Sequence, residues 1–136
     1  MTLTDTGPLV ALINRNDPNH PVCIEAAKGL PRGPLMTTWP CFTEAMYLLH
    51  KTGGYPAQAA LWLLRDAGRL ALHDAGEDEV ARMAAWMLKY HDLPMDLADA
   101  SLMAAAEWFE TRRVFTLDQD FRVYRFANGD AVEVVP

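Results

Sequence analysis

The sequence predicts an α/β fold, a parallel sheet covered by helices on both faces. Three observations lead there. Short strand-like runs alternate with longer helical segments along the whole chain. Glycine and proline act as punctuation between them, at Gly7-Pro8, Pro31 to Pro34, Gly53-Gly54, Gly76 and Gly129. The longest helical segments carry apolar residues at the 3.6-residue period.

The elements follow in order. Residues 1–4 read as a short strand, and the next helix runs through Leu9, Val10, Leu12 and Ile13. Asp17-Pro18 opens a second short helix over 22–28, and 35–37 is a brief strand. Pro40 suits the first turn of a helix reaching to about 51, and Pro56 begins another to about 66. Residues 70–73 form a strand. Over 77–90, Val80, Met83, Ala84 and Met87 mark one face of a helix. Glu77, Asp78 and Glu79 sit in its first turn, where the helix dipole favours negative charge. Pro94 breaks the chain. A helix over 97–110 follows, with Leu102, Ala105, Ala106 and Phe109 on one face, and strands close the chain at 113–117 and 131–135.

Composition bounds the function. The 136 residues make a single domain over 1–136, and 51% hydrophobic content excludes a disordered chain. The apolar runs are too short to span a membrane, and the first residues do not read as a signal peptide. Cys23 and Cys41 form neither a disulfide framework nor a metal-ligand spacing, and point to free thiols in a reducing cytoplasm. Acids outnumber bases 18 to 12, for a net charge of −6, so bulk positive charge does not bind nucleic acid here. Acids that hold a divalent cation escape this objection, which makes their placement the decisive question.

In an open parallel sheet, ligands bind beyond the carboxyl ends of the strands, near the switch in strand order. The first strand is followed at once by Asp5. The strand at 113–117 is followed by Asp118-Gln119-Asp120. The strand at 35–37 leads into a helix with Glu44, and the helix at 97–110 opens with Asp96-Leu97-Ala98-Asp99. Each Asp also has a structural explanation. Asp5, Asp96 and Asp118 stand where N-caps stand, and Asp96 with Asp99 approaches a capping box. Glu44 lies in an otherwise apolar helical stretch, where a buried carboxylate needs a partner or a metal. Four independent caps have no reason to converge on one sheet edge. Converging carboxylates suit a hard cation such as Mg²⁺, which bridges to substrate phosphate oxygens.

Four stretches in order resemble the PIN domains, metal-dependent ribonucleases that include the VapC-type toxins of bacterial toxin–antitoxin pairs. They are Leu3-Thr4-Asp5-Thr6-Gly7-Pro8, Thr37-Thr38-Trp39-Pro40-Cys41-Phe42-Thr43-Glu44, Leu97-Ala98-Asp99-Ala100-Ser101, and Val114-Phe115-Thr116-Leu117-Asp118-Gln119-Asp120. The resemblance implies a three-layer α/β/α sandwich with strand order 3-2-1-4-5. It implies an acidic centre of Asp5, Glu44, Asp99 and Asp118. Asp5, Asp99 and Asp118 are the implied ligands of Mg²⁺ or Mn²⁺, and Glu44 the implied water-orienting group. Asp120 and Asp96 are auxiliaries, and Thr6 and Thr116 supply supporting hydrogen bonds. The implied activity is hydrolysis of RNA, with a neutralising antitoxin as partner. Rival readings are another metal-dependent nuclease and a PIN-like scaffold that binds RNA or protein without cleavage.

The remaining conspicuous residues divide as follows. His20, His50, His73 and His91 show no ligand spacing and read as structural or surface residues. Met83, Trp86 and Met87 read as core or interface. The run Leu61-Trp62-Leu63-Leu64 is apolar all round and is either core or a protein–protein surface; with the resemblance it points to a homodimer. Arg112, Arg113, Arg122 and Arg125 flank the fourth-strand acid as phosphate contacts or as a solvated basic rim, with Tyr124 a candidate for stacking a base.

Overall fold

The computed structural model describes residues 1–136. Five strands are β1 (Thr2–Thr4), β2 (Leu35–Thr38), β3 (Leu70–His73), β4 (Arg113–Phe115) and β5 (Glu133–Val135). They form one parallel sheet in the order β3-β2-β1-β4-β5. Every residue of β1 is buried, as a central strand covered on both faces requires. The sheet grows outward from β1 to β3, then the chain returns to β1's other side as β4. The switch in direction therefore falls between β1 and β4, where Leu3 pairs with Val114 and Thr4 with Phe115.

The helices are α1 (Thr6–Ile13), α2 (His20–Lys28), α3 (Trp39–Asp66), α4 (Glu77–Lys89) and α5 (Leu97–Phe109). Neighbouring residues of β4 show how the pleat divides them into two layers. Val114 packs in a cluster with Met83 and Trp86 of α4 and Leu102 and Met103 of α5. Phe115, on the opposite face, packs with Ala11 of α1 and Cys23 of α2. Leu9 of α1 joins Phe42, Leu49 and Leu61 of α3 in a further cluster on Leu70 of β3. This is the expected three-layer sandwich. In α5, every residue from Ala98 to Ala106 is buried. Its alanines let it lie close to the sheet and α4 at once, as a helix apolar on all sides must. No helix is long and apolar enough to cross a membrane.

Several expectations shift. The helices expected over 40–51 and 56–66 are two halves of α3, joined at a kink at Gly54, whose φ is 64°. Only glycine takes that conformation cheaply, and Pro56 then opens the second half where its missing N–H costs nothing. In the Leu61–Leu64 run only Leu61 is fully buried; Trp62 and Leu63 are exposed. The inward face of α4 is Glu79, Met83 and Trp86, one position away from Val80 and Ala84, which are exposed. The apolar pattern misplaced the face because a carboxylate belongs to it. Glu79 is buried beside the His73 ring, which meets its two carboxylate oxygens at 2.7 and 2.8 Å. Helix α2 starts at His20, whose Nδ1 lies 2.6 Å from the carbonyl oxygen of Ala11. Strand β4 stops at Phe115 and β5 starts at Glu133, with Ala131 instead bridging Arg125 in an antiparallel sense.

Candidate metal centre

The carboxyl ends of β1 and β4 lie side by side, and the acids follow from there. Asp5 is the residue after β1 and caps α1, its Oδ1 accepting from Thr6 N–H at 2.8 Å. Asp118 caps the short 3-10 turn Gln119–Arg122, its Oδ1 accepting from Asp120 N–H at 2.9 Å. Asp96 caps α5 by accepting from Asp99 N–H at 2.8 Å. Capping and site-building are thus one arrangement. A cap holds a carboxylate at a helix start, and the strand ends bring the helix starts together.

The carboxylates line one side of a cleft of about 300 Å³, to which Asp5, Glu44, Asp96, Asp99 and Asp118 contribute. Asp99, Asp118 and Asp120 each offer an oxygen within 4.8 Å of the others. Asp120, expected as an auxiliary, stands in this tight group, and Asp5 stands beside it. Both Asp5 oxygens are already engaged, Oδ1 by Thr6 N–H and Oδ2 by the Thr116 hydroxyl at 2.8 Å. Thr6 and Thr116 thus each hydrogen-bond to one oxygen of Asp5. The Thr6 hydroxyl also reaches Glu44 Oε2 at 3.2 Å. Glu44 itself is exposed, contrary to the expectation of burial, because its side of α3 faces the open cleft.

None of these acids is paired with a Lys, Arg or His; the chain's ion pairs all lie elsewhere. The electrostatic consequence is strong. Burial pushes the Asp99 carboxyl up to about 8, with Asp96, Asp5 and Asp118 adding repulsion against a lowering bond from Tyr124. Burial likewise raises Asp5, against its bonds to Thr116 and Thr6. An all-oxygen donor set, uncompensated by any cation side chain, fits a hard divalent ion of the Mg²⁺ or Mn²⁺ kind. Asp99, Asp118 and Asp120 present oxygens close enough together to share such an ion.

Two neighbours of the acids take places that the sequence did not indicate. Tyr124 is fully buried and donates its hydroxyl to Asp99 Oδ2 at 2.7 Å, so it has no exposed face on which to stack a base. Its spacing of three from Phe121 was the available sign that both rings turn inward. Cys41 is also fully buried, with Sγ 3.7 Å from Asp5 Oδ1, and burial raises its thiol well above the usual range. It is a small core residue beneath Asp5, not a reactive one. The arginines separate. Arg112 and Arg113 lie at the start of β4, the end away from Asp118, and pair with Asp130 at 3.6 Å and Glu133 at 3.0 Å. Arg122, the last residue of the acid-bearing turn, and Arg125, just after it, are exposed and have no acidic partner.

Comparison with known proteins identifies the family and the fold. Over 139 aligned residues the chain is 28% identical to ribonuclease VapC26 of Mycobacterium tuberculosis, covering 98% of this chain and 99% of that protein. The structure of M. tuberculosis VapC20, a toxin that cleaves the sarcin-ricin loop, superposes with a TM-score of 0.83 at 20% identity over 100% of both chains. A toxin–antitoxin complex from Klebsiella pneumoniae gives a TM-score of 0.67 at 18% identity, covering 88% of each chain. The family model of the PIN domain matches residues 2–127, which takes in all four acid-bearing segments. With its strand order and its carboxylates at the β1–β4 switch point, the chain belongs to the PIN domain family.

Proposed function

We propose that this chain is a divalent-metal-dependent endoribonuclease, using Mg²⁺ or Mn²⁺, and the toxin of a toxin–antitoxin pair. The observation that carries the reading is the trio Asp99, Asp118 and Asp120, whose oxygens approach within 4.8 Å with no cationic side chain to balance them. A bound divalent ion supplies a lowered pKa for its water and neutralisation of the scissile phosphate. The residues do the rest. Asp99, Asp118 and Asp120 bind the ion. Asp5, held on both oxygens by Thr6 and Thr116, fixes the negative field behind them. Glu44, exposed at the cleft and bonded to Thr6, orients the attacking water. Arg122 and Arg125, cationic and unpaired beside the turn, contact RNA phosphates. The exposed Trp62 and Leu63 of α3 support a homodimer. The named ribonuclease relative and the toxin–antitoxin neighbours support the substrate and the antitoxin partner.

The test uses matched single-stranded RNA and DNA, with Mg²⁺, Mn²⁺ or chelator. Expected is internal RNA cleavage that needs the cation, and a melting temperature raised by the cation through mass action. Asp118→Asn should abolish both. Cleavage of DNA alone would favour a different nuclease. Cation-independent RNA binding without cleavage would favour a scaffold.

A further inference from the structure

We propose that Tyr124 is a positioning residue of the metal centre, setting the orientation of the Asp99 carboxylate and tying it to the turn that carries Asp118 and Asp120. The inference rests on the proposed metal-dependent reading. The Tyr124 hydroxyl donates to Asp99 Oδ2 at 2.7 Å, and both residues are buried. No protein donor reaches Asp99 Oδ1, so that oxygen is left to ligate. The Tyr124 ring lies edge-on to Phe121 at 5.1 Å and tilted against Tyr90 at 5.0 Å. Phe121 belongs to the turn Gln119–Arg122, which contains Asp120 and is capped by Asp118. One side chain thus meets the third ligand with its hydroxyl and the turn of the other two with its ring. An unheld carboxylate on the first turn of α5 would sample several rotamers, and ordering it would weaken metal binding. Partners of this kind, which hold a ligand in place, are worth about 10–100-fold in metal affinity.

Calorimetric titration of Mn²⁺ into the folded protein tests this without reference to cleavage. Tyr124→Phe keeps the ring and removes only the donor, and should weaken Mn²⁺ binding by about ten-fold. Tyr90→Phe is the control. It removes a hydroxyl from the same aromatic cluster, one that accepts from Arg125 N–H and does not touch Asp99, so it should leave the affinity unchanged. Replacing Tyr124 by 4-aminophenylalanine restores a donor and should restore the affinity. If Tyr124→Phe does not fold, 4-fluorophenylalanine fills the hydroxyl's space without donating and serves in its place. A lower melting temperature with unchanged Mn²⁺ affinity would overturn the proposal, as would equal losses from Tyr124→Phe and Tyr90→Phe. If the wild-type protein fails to bind Mn²⁺, the reading beneath the proposal falls with it.

Discussion

Thr116 donates its hydroxyl to Asp5 Oδ2 at 2.8 Å, joining residues 111 positions apart, and Thr116 Oγ1 in turn accepts from Asp118 N–H at 3.0 Å. One buried hydroxyl thereby locks the end of β1 to the end of β4. Thr116→Val keeps the shape and removes both bonds, stranding a buried carboxylate oxygen. It should lower unfolding free energy by about 2 kcal/mol. Thr116→Ser should retain most of the stability. Urea unfolding of the three proteins measures this, and equal midpoints would show that the hydroxyl contributes nothing.

The Asp99 carboxyl, pushed up to about 8 from an ordinary value of 3.8, makes cation-free stability depend on pH. The folded state binds more protons than the unfolded chain between those two values. Stability is therefore full below about 4 and falls as pH rises towards about 8. Asp99→Asn should flatten that decline. Metal binding runs the other way, because the ligand must be deprotonated. Thermal stabilisation by Mg²⁺ should therefore be larger at pH 9 than at pH 6. Melting curves across the range would decide it, and a decline unchanged in Asp99→Asn would assign the effect to other groups.

Glu79 and His73 form a nearly dry pair away from the cleft, with side chains 5% and 12% exposed. His73→Ala leaves the Glu79 carboxylate buried without its partner, and should cost about 3 kcal/mol or more. The double variant His73→Leu with Glu79→Met should recover much of it. RNA cleavage, measured below the melting temperature, should be unaffected in both.

The arginines predict a contrast in RNA affinity. Arg122→Ala and Arg125→Ala should each weaken RNA binding and lower its salt dependence by roughly one counterion. Arg112→Ala and Arg113→Ala should change stability slightly and RNA binding little, since both side chains are occupied by Asp130 and Glu133. Fluorescence anisotropy at two salt concentrations separates the pairs. Similar effects from all four would point to diffuse charge instead.

On α3, Leu63 is 66% exposed and Trp62 41%. Leu63→Glu should convert a dimer to monomers at tens of micromolar protein, a concentration that detects a roughly micromolar association. Light scattering gives the mass directly. A monomeric wild-type protein at that concentration would remove the homodimer from the proposal.

The sequence by itself determined the layers, the strand alternation and the positions of the acids. Hydrophobic period and glycine–proline punctuation are local properties, and Asp5, Asp96 and Asp118 stand at helix starts that their own capping chemistry marks. It also determined which segments carry the family resemblance. What it misjudged shares one cause. Glu79 looked like a dipole-favoured surface acid, Glu44 like a buried one, and Tyr124 like a free ring. Each is decided by a partner on another element: His73 at the end of β3, Thr6 at the open cleft, and Asp99 beneath the turn. The close approach of the Asp120 carboxylate to Asp99 and Asp118 is likewise a product of the tertiary structure. Periodicity reports which face of an element is apolar. Only the tertiary structure, by closing β4 against β1 and packing α5 over them, decides which oxygen each carboxylate has left to offer.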